Sequence, residues 1–257
     1  MNTWTDEIIN YEYACDWPIP TSNFVFQAKW PLLHGKFEKH EEFKQLFFDH
    51  ILEKLRKDLA SGTGSRNTLI EDGETKTDNI FTQNYYNFNV FLLSDDPLMK
   101  EFQEFSKEGL TKFLELLNAP GPDKLDYGAQ CWMNEIRQLD SIGRHRHQGF
   151  MVPKHSRISV SSNYCLDVPV DYPTYGIYYN PFSKERPNNL YLEMLMDMEY
   201  LMFKNVTGDI TFFPSCIDHQ TTTVKSDFKR YTIAADYMPY LDIQNQVLEK
   251  NRHIVKL

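Results

Sequence analysis

From Asp123 to Tyr237 the chain breaks into short segments rich in β-branched and aromatic residues, separated by Pro, Gly and Asn. No other feature constrains the fold as much. The segments are Tyr127–Leu139, Arg157–Val168, Thr174–Tyr179, Leu190–Met196, Asp209–Phe213, Gln220–Val224 and Arg230–Tyr237. Closely spaced short strands with turn signals between them build a sandwich or a jelly roll.

The first half carries helices instead. Phe43, Phe47, Ile51, Leu55 and Leu59 recur every fourth position, which marks one apolar face of a helix over His40–Leu59. A second helix is predicted over Pro97–Leu117: Asp96 caps it, Pro97 suits its first turn, and Leu98, Phe102, Phe105, Phe113 and Leu117 form the buried stripe. Pro120-Gly121-Pro122 then stops it. The class is therefore α+β. One domain of 257 residues is expected, with a helical and mixed N-terminal extension over 1–122 and a β core over 123–240. The tail Leu241–Leu257 carries a weak helical pattern. Ser61–Asn79 is polar and Gly-rich, the composition of a lid, a binding loop or a disordered stretch. Gly62 and Gly64 do not form a phosphate loop, because no Gly-Lys-Ser/Thr follows them.

Charge and cysteines narrow the function classes. A net charge of −9 argues against general nucleic-acid binding, which needs cations to neutralise phosphates. Cys15, Cys131, Cys165 and Cys216 are scattered and form no CxxC pair, so free thiols in a reducing compartment are expected rather than a zinc knuckle or disulfide framework. The opening MNTWTDEIIN has neither a basic region nor an apolar run, and no apolar stretch approaches a membrane span. A soluble, cytoplasmic protein is the expectation.

Two of the eight histidines fall in Arg144-His145-Arg146-His147. On an extended strand, positions two apart point to the same side, so His145 and His147 could aim both imidazoles at one point. A polar, exposed loop carries the same pattern. His219 strengthens the metal reading, because it follows an aromatic strand ending in Phe213-Pro214-Ser215. On the last strand, Arg230 and Thr232 share a face. If that face is buried, the guanidinium needs an anionic partner, and a ligand carboxylate gripped bidentately would serve. The plainer alternative is a surface arginine paired with Asp227 or Asp236.

The order of these pieces resembles the 2-oxoglutarate/Fe(II)-dependent oxygenases, and within them a group from bacteria and phages. The matching pieces are Trp132-Met133-Asn134, His145/His147, the serine-rich strand from Ser161 to Pro169, Phe213-Pro214-Ser215, His219, and Arg230 with Thr232. They span about Gln130 to Tyr237. The resemblance implies a double-stranded β-helix (jelly-roll or cupin-like) core with the N-terminal helices packed outside. It implies an Fe(II) site on His145, His147 and His219. It also implies 2-oxoglutarate bound to iron through its C1 carboxylate and 2-oxo group, with its far carboxylate on Arg230 and Thr232. Tyr164 stands where relatives place another donor to that carboxylate, although a sheet aromatic would look the same, and Asn134 is a further candidate. With O2 as the other substrate, the implied reaction is hydroxylation of an unactivated C–H bond with release of succinate and CO2.

The chain departs from the family at His147, which stands where Asp or Glu is usual. Either His147 is a third ligand or it turns aside. His155 follows Pro153 in a predicted loop and is a poor ligand candidate. Two other readings stay open: a cupin-like three-histidine iron dioxygenase without 2-oxoglutarate, and a metal-free β-sandwich interaction module. Asn84-Tyr85-Tyr86-Asn87-Phe88 would line a pocket or pack the core; the substrate, peptide or small molecule, is not legible.

Overall fold

The computed structural model describes residues 2–15, 24–55, 69–71, 74–76, 80–82, 89–147, 160–179, 200–239 and 254–257. They form a mostly β structure with few helices. The strands are β1 (Thr3–Cys15), β2 (Phe24–Lys36), β3 (Leu69–Glu71), β4 (Glu74–Lys76), β5 (Ile80–Thr82), β6 (Tyr127–Ile136), β7 (Val160–Asp167), β8 (Tyr175–Tyr179), β9 (Tyr200–Lys204), β10 (Asp209–Pro214), β11 (His219–Thr221), β12 (Arg230–Pro239) and β13 (Val255–Lys256). Two α-helices stand among them, α1 (His40–Leu46) and α2 (Pro97–Leu116). The main sheet runs β1-β2-β10-β7-β12-β6-β13, with β5 also on β6, and a smaller sheet runs β11-β8-β9. All of these pairings are antiparallel.

Both predicted helices form. Asp96 accepts from the Leu98 amide at 2.8 Å and Pro97 opens α2, so the cap and the fixed proline φ act together. After α1 the chain passes through a π turn at Phe47–Ile51, and residues 52–55 are again α-helical. Phe43, Phe47, Ile51 and Leu55 are all buried, as the four-residue period requires. Leu59 lies outside the described residues.

The mixed character expected of the N-terminal extension takes the form of strands: β1 and β2 form a long hairpin whose end, at Leu33–Lys36, pairs with Asp209–Phe212 and so joins the main sheet. Trp4 locks this hairpin down by stacking on Phe105 at 4.8 Å. A Cβ at Gly35 or Gly109 would overlap its ring. The polar stretch 61–79 contains a small hairpin, β3–β4. The C-terminal residues 255–256 are strand, paired with β6, and not helix. The predicted strand Leu190–Met196 and the Asn84–Phe88 stretch lie outside the described residues, whereas β9 was not foreseen. Among the described residues, Cys131, Cys165 and Cys216 are free thiols. No described helix is long and apolar enough to cross a membrane.

Strand alternation gives the main sheet two different faces. One face carries Tyr127, Ala129, Cys131, Met133, Val160, Tyr164, Leu166, Ile210, Phe212, Tyr231, Ile233, Ala235 and Tyr237, all packed with α1 and α2 in one apolar core. The opposite face looks toward the small sheet, and there Leu32, Phe213, Tyr178 and Ile217 form a second, smaller cluster. At the turn into β10, Gly208 takes φ +89°, which an L side chain rarely adopts, and its amide caps the Cys165 carbonyl at 2.8 Å.

Candidate functional site

The three predicted histidines meet on the inner face. His145 and His219 are joined by a pair of backbone hydrogen bonds, 2.9 and 2.8 Å, that forms an isolated antiparallel bridge. The His147 amide donates to the Ser215 carbonyl at 3.2 Å, which ties the HxH segment to the Phe-Pro-Ser turn. Ligand-capable atoms of the three side chains all lie within 4.8 Å of one another.

Their hydrogen bonds settle which nitrogens face inward. Nδ1 of His145 lies 2.8 Å from the Gly143 carbonyl, and Nδ1 of His219 lies 3.0 Å from the Ile217 carbonyl. A carbonyl only accepts, so both Nδ1 atoms carry the proton and both Nε2 atoms keep their lone pairs. His147 Nδ1 lies 2.5 Å from Asp236 Oδ1, and its Nε2 lies 3.3 Å from that of His145. Two nitrogens this close share either a proton or a cation. Burial, followed by the neighbouring His147, holds His145 below the ordinary histidine value. Burial, followed by His147 and His145, holds His219 well below it. Both are neutral near pH 7, the form a metal requires.

Arg230 is fully buried on the same face, and the alternative of a surface arginine paired with Asp227 or Asp236 is thereby overturned. No described residue hydrogen-bonds to Nε, NH1 or NH2 of its guanidinium. Its electrostatic neighbours are Cys165 and Tyr178, and neither is an anion at neutral pH. Burial raises the Cys165 thiol to about 11 and pushes the Tyr178 phenol well up. Burial also lowers the Arg230 value, yet a guanidinium starts far above neutrality and stays charged. The inner face thus holds a cation without a counter-ion among the described residues, an arrangement costly enough to point to a bound anion. Thr232 is equally buried, and Asn134, its register partner on β6, approaches its hydroxyl at 3.5 Å.

Tyr164 goes elsewhere, which corrects its expected place in the site. It pairs with Ile210 and Ile233, residues of the apolar face. There it packs on Phe43 and Phe102, and its hydroxyl meets His40 Nδ1 at 2.6 Å. The tyrosine on the inner face is Tyr178, directly opposite His219 in the β8–β11 ladder and stacked on it at 6.1 Å. Sequence reasoning missed it because the pairing of the two sheets leaves no local trace. Asp236 was missed as a site residue too, although its even spacing from Arg230 and Thr232 places it on their face. Ser161, Ser215 and Trp132 complete the surroundings of His147: Ser161 Oγ lies 2.7 Å from Asp236 Oδ1, the two serine hydroxyls are 2.8 Å apart, and Trp132 stands 5.5 Å from the imidazole. His155 lies outside the described residues.

No protein-family model matches this chain, and no curated protein matches it in sequence. Solved structures do. The chain is similar in fold to SnoK, a non-haem α-ketoglutarate-dependent carbocyclase from nogalamycin biosynthesis. The TM-score is 0.52 at 12% identity, over 81% of this chain and 79% of that one. A prolyl-4-hydroxylase from Pseudomonas putida aligns at TM-score 0.45 and 10% identity, over 78% of this chain and 98% of that one. The viral collagen prolyl hydroxylase of Paramecium bursaria Chlorella virus-1 aligns at TM-score 0.48 and 10% identity, over 80% and 95%. At these identities the likeness is one of fold, and the SnoK alignment alone among the three is close enough to carry it.

Proposed function

We propose that this protein is a mononuclear non-haem iron(II) oxygenase that uses 2-oxoglutarate, its two facing sheets forming a double-stranded β-helix. The observation that carries the proposal is the pairing, on one face of the sheet, of three converging imidazoles with a buried arginine that has no counter-ion among the described residues. Imidazole donors suit iron, zinc, copper and nickel alike. The fold shared with an α-ketoglutarate-dependent enzyme and the anion-seeking Arg230 favour iron and the keto acid.

In this reading His145, His147 and His219 hold the metal through Nε2. Arg230 takes the far carboxylate of 2-oxoglutarate in its guanidinium fork, with the Thr232 hydroxyl beside it. Bound iron supplies the redox centre that couples decarboxylation of 2-oxoglutarate to oxidation of a C–H bond by O2. Tyr178 and Cys165 wall the arginine as neutral groups, so its charge remains for the ligand. Trp132 and Phe213 flank His147 at 5.5 and 6.2 Å.

Anaerobic titration tests this. Iron and 2-oxoglutarate together should give a weak visible charge-transfer band at one equivalent, and admitting O2 should yield succinate. The three-imidazole donor set also suits a cupin-like dioxygenase in which Arg230 grips a substrate carboxylate. Iron binding without the band would select that reading, and no iron binding would leave a metal-free module.

A further inference from the structure

The carboxylate that the HxH motif lacks stands one imidazole further out. Asp236 is 6% exposed and shares the inner face of β12 with Arg230 and Thr232. Its Oδ1 accepts from His147 Nδ1 at 2.5 Å and from the Ser161 hydroxyl at 2.7 Å. Ser215, 2.8 Å from Ser161, is left to donate to Ser161 Oγ, while its carbonyl holds the His147 amide. The backbone and the ring of His147 are therefore fixed by one network. His145 and His219 are held differently, each by a backbone carbonyl two residues before it. Among the described residues, the third histidine alone of the three hydrogen-bonds to a carboxylate.

We infer that Asp236 is a positioning residue for the metal centre: it orients His147, fixes its Nε2 as the donor, and lends the centre the negative charge that a ligated carboxylate would have supplied. The inference rests on the metal site proposed above. A carboxylate behind an imidazole makes that imidazole a stronger donor, so three neutral ligands plus Asp236 approach the charge of two imidazoles and an acid. Asp236 does not replace His147 as a ligand, because its Oδ1 already accepts two hydrogen bonds and the three histidines already converge.

The test is a double-mutant cycle on metal affinity, read by chelator competition with Co(II) and with Fe(II) under anaerobic conditions. Asp236→Asn keeps an acceptor for Nδ1–H and removes the charge, and it should weaken metal binding by about 10- to 100-fold. In a His147→Ala background the same change should alter affinity by no more than about twofold, because the imidazole that transmits it is gone. Ser161→Ala removes one donor to the carboxylate while leaving both partners in place. It should cost about fivefold, again only when His147 is present, and it serves if Asp236→Asn fails to fold. Equal penalties in both backgrounds, or none in either, would overturn the role of Asp236 while the three-histidine site stood. A wild type that binds no divalent metal would overturn the site itself, and the role with it.

Discussion

The two faces of the main sheet are built from the same strands and are both buried, yet they obey different rules. On β12, Tyr231, Ile233, Ala235 and Tyr237 enter the apolar core against the helices, while Arg230, Thr232 and Asp236 line the opposite side. The apolar face is stabilised by area and aromatic contact: Phe43 stacks on Phe102 at 4.2 Å, and Phe102 meets Tyr164 at 4.8 Å. The inner face holds a buried cation, a buried carboxylate and three imidazoles, groups that cost free energy unless partnered. Most find partners in the chain. Among the described residues the Arg230 guanidinium does not, and a buried polar group without a partner calls for an explanation such as a bound ligand.

Substitutions on the two faces should therefore fail in different ways. The largest effect belongs to the metal cluster: His219→Ala should abolish stoichiometric Fe(II) binding and leave the far-UV spectrum of the apoprotein intact, checked by metal analysis and circular dichroism. Retained iron would place the metal elsewhere. Next comes the apolar face, where Phe102→Ala should cost about 3–5 kcal/mol of stability in urea unfolding while the folded fraction binds iron with wild-type affinity. Arg230→Leu should do the reverse. It loses about 1.5–3 kcal/mol of charge-assisted binding, which weakens 2-oxoglutarate by roughly 10- to 150-fold in calorimetry. The ligand-free variant should melt no lower than wild type, because an unpaired buried charge has gone. A lower melting temperature with unchanged 2-oxoglutarate affinity would make Arg230 a structural residue. The smallest effect is expected at Tyr164→Phe, which removes only the hydroxyl bound to His40. It should cost about 1 kcal/mol and leave the 2-oxoglutarate Kd unchanged. A weakened Kd there would mean that the faces are not independent.

Much of this molecule could be read from local pattern. The four-residue period from Phe43 to Leu55, the Asp96-Pro97 start of α2 and most of the strands from Tyr127 to Tyr237 follow from spacing and punctuation, because they depend on neighbours along the chain. The even spacing of Arg230 and Thr232 placed them on one face for the same reason. Pattern did not say which face was the inner one. Tyr164 and Tyr178 are both buried strand tyrosines, and they went to opposite faces of the fold. Nor does the N-terminal hairpin announce that its end will join β10, since a register with Asp209–Phe212 is a long-range choice. The sequence by itself determined the chemical inventory: which imidazoles, which guanidinium, and which residues share a face. Tertiary structure alone decided that His145, His147 and His219 meet, that Asp236 stands behind His147, and that Arg230 is enclosed with no counter-ion among the described residues. Those are contacts between strands distant in sequence, set by sheet pairing and burial rather than by any local preference of the backbone.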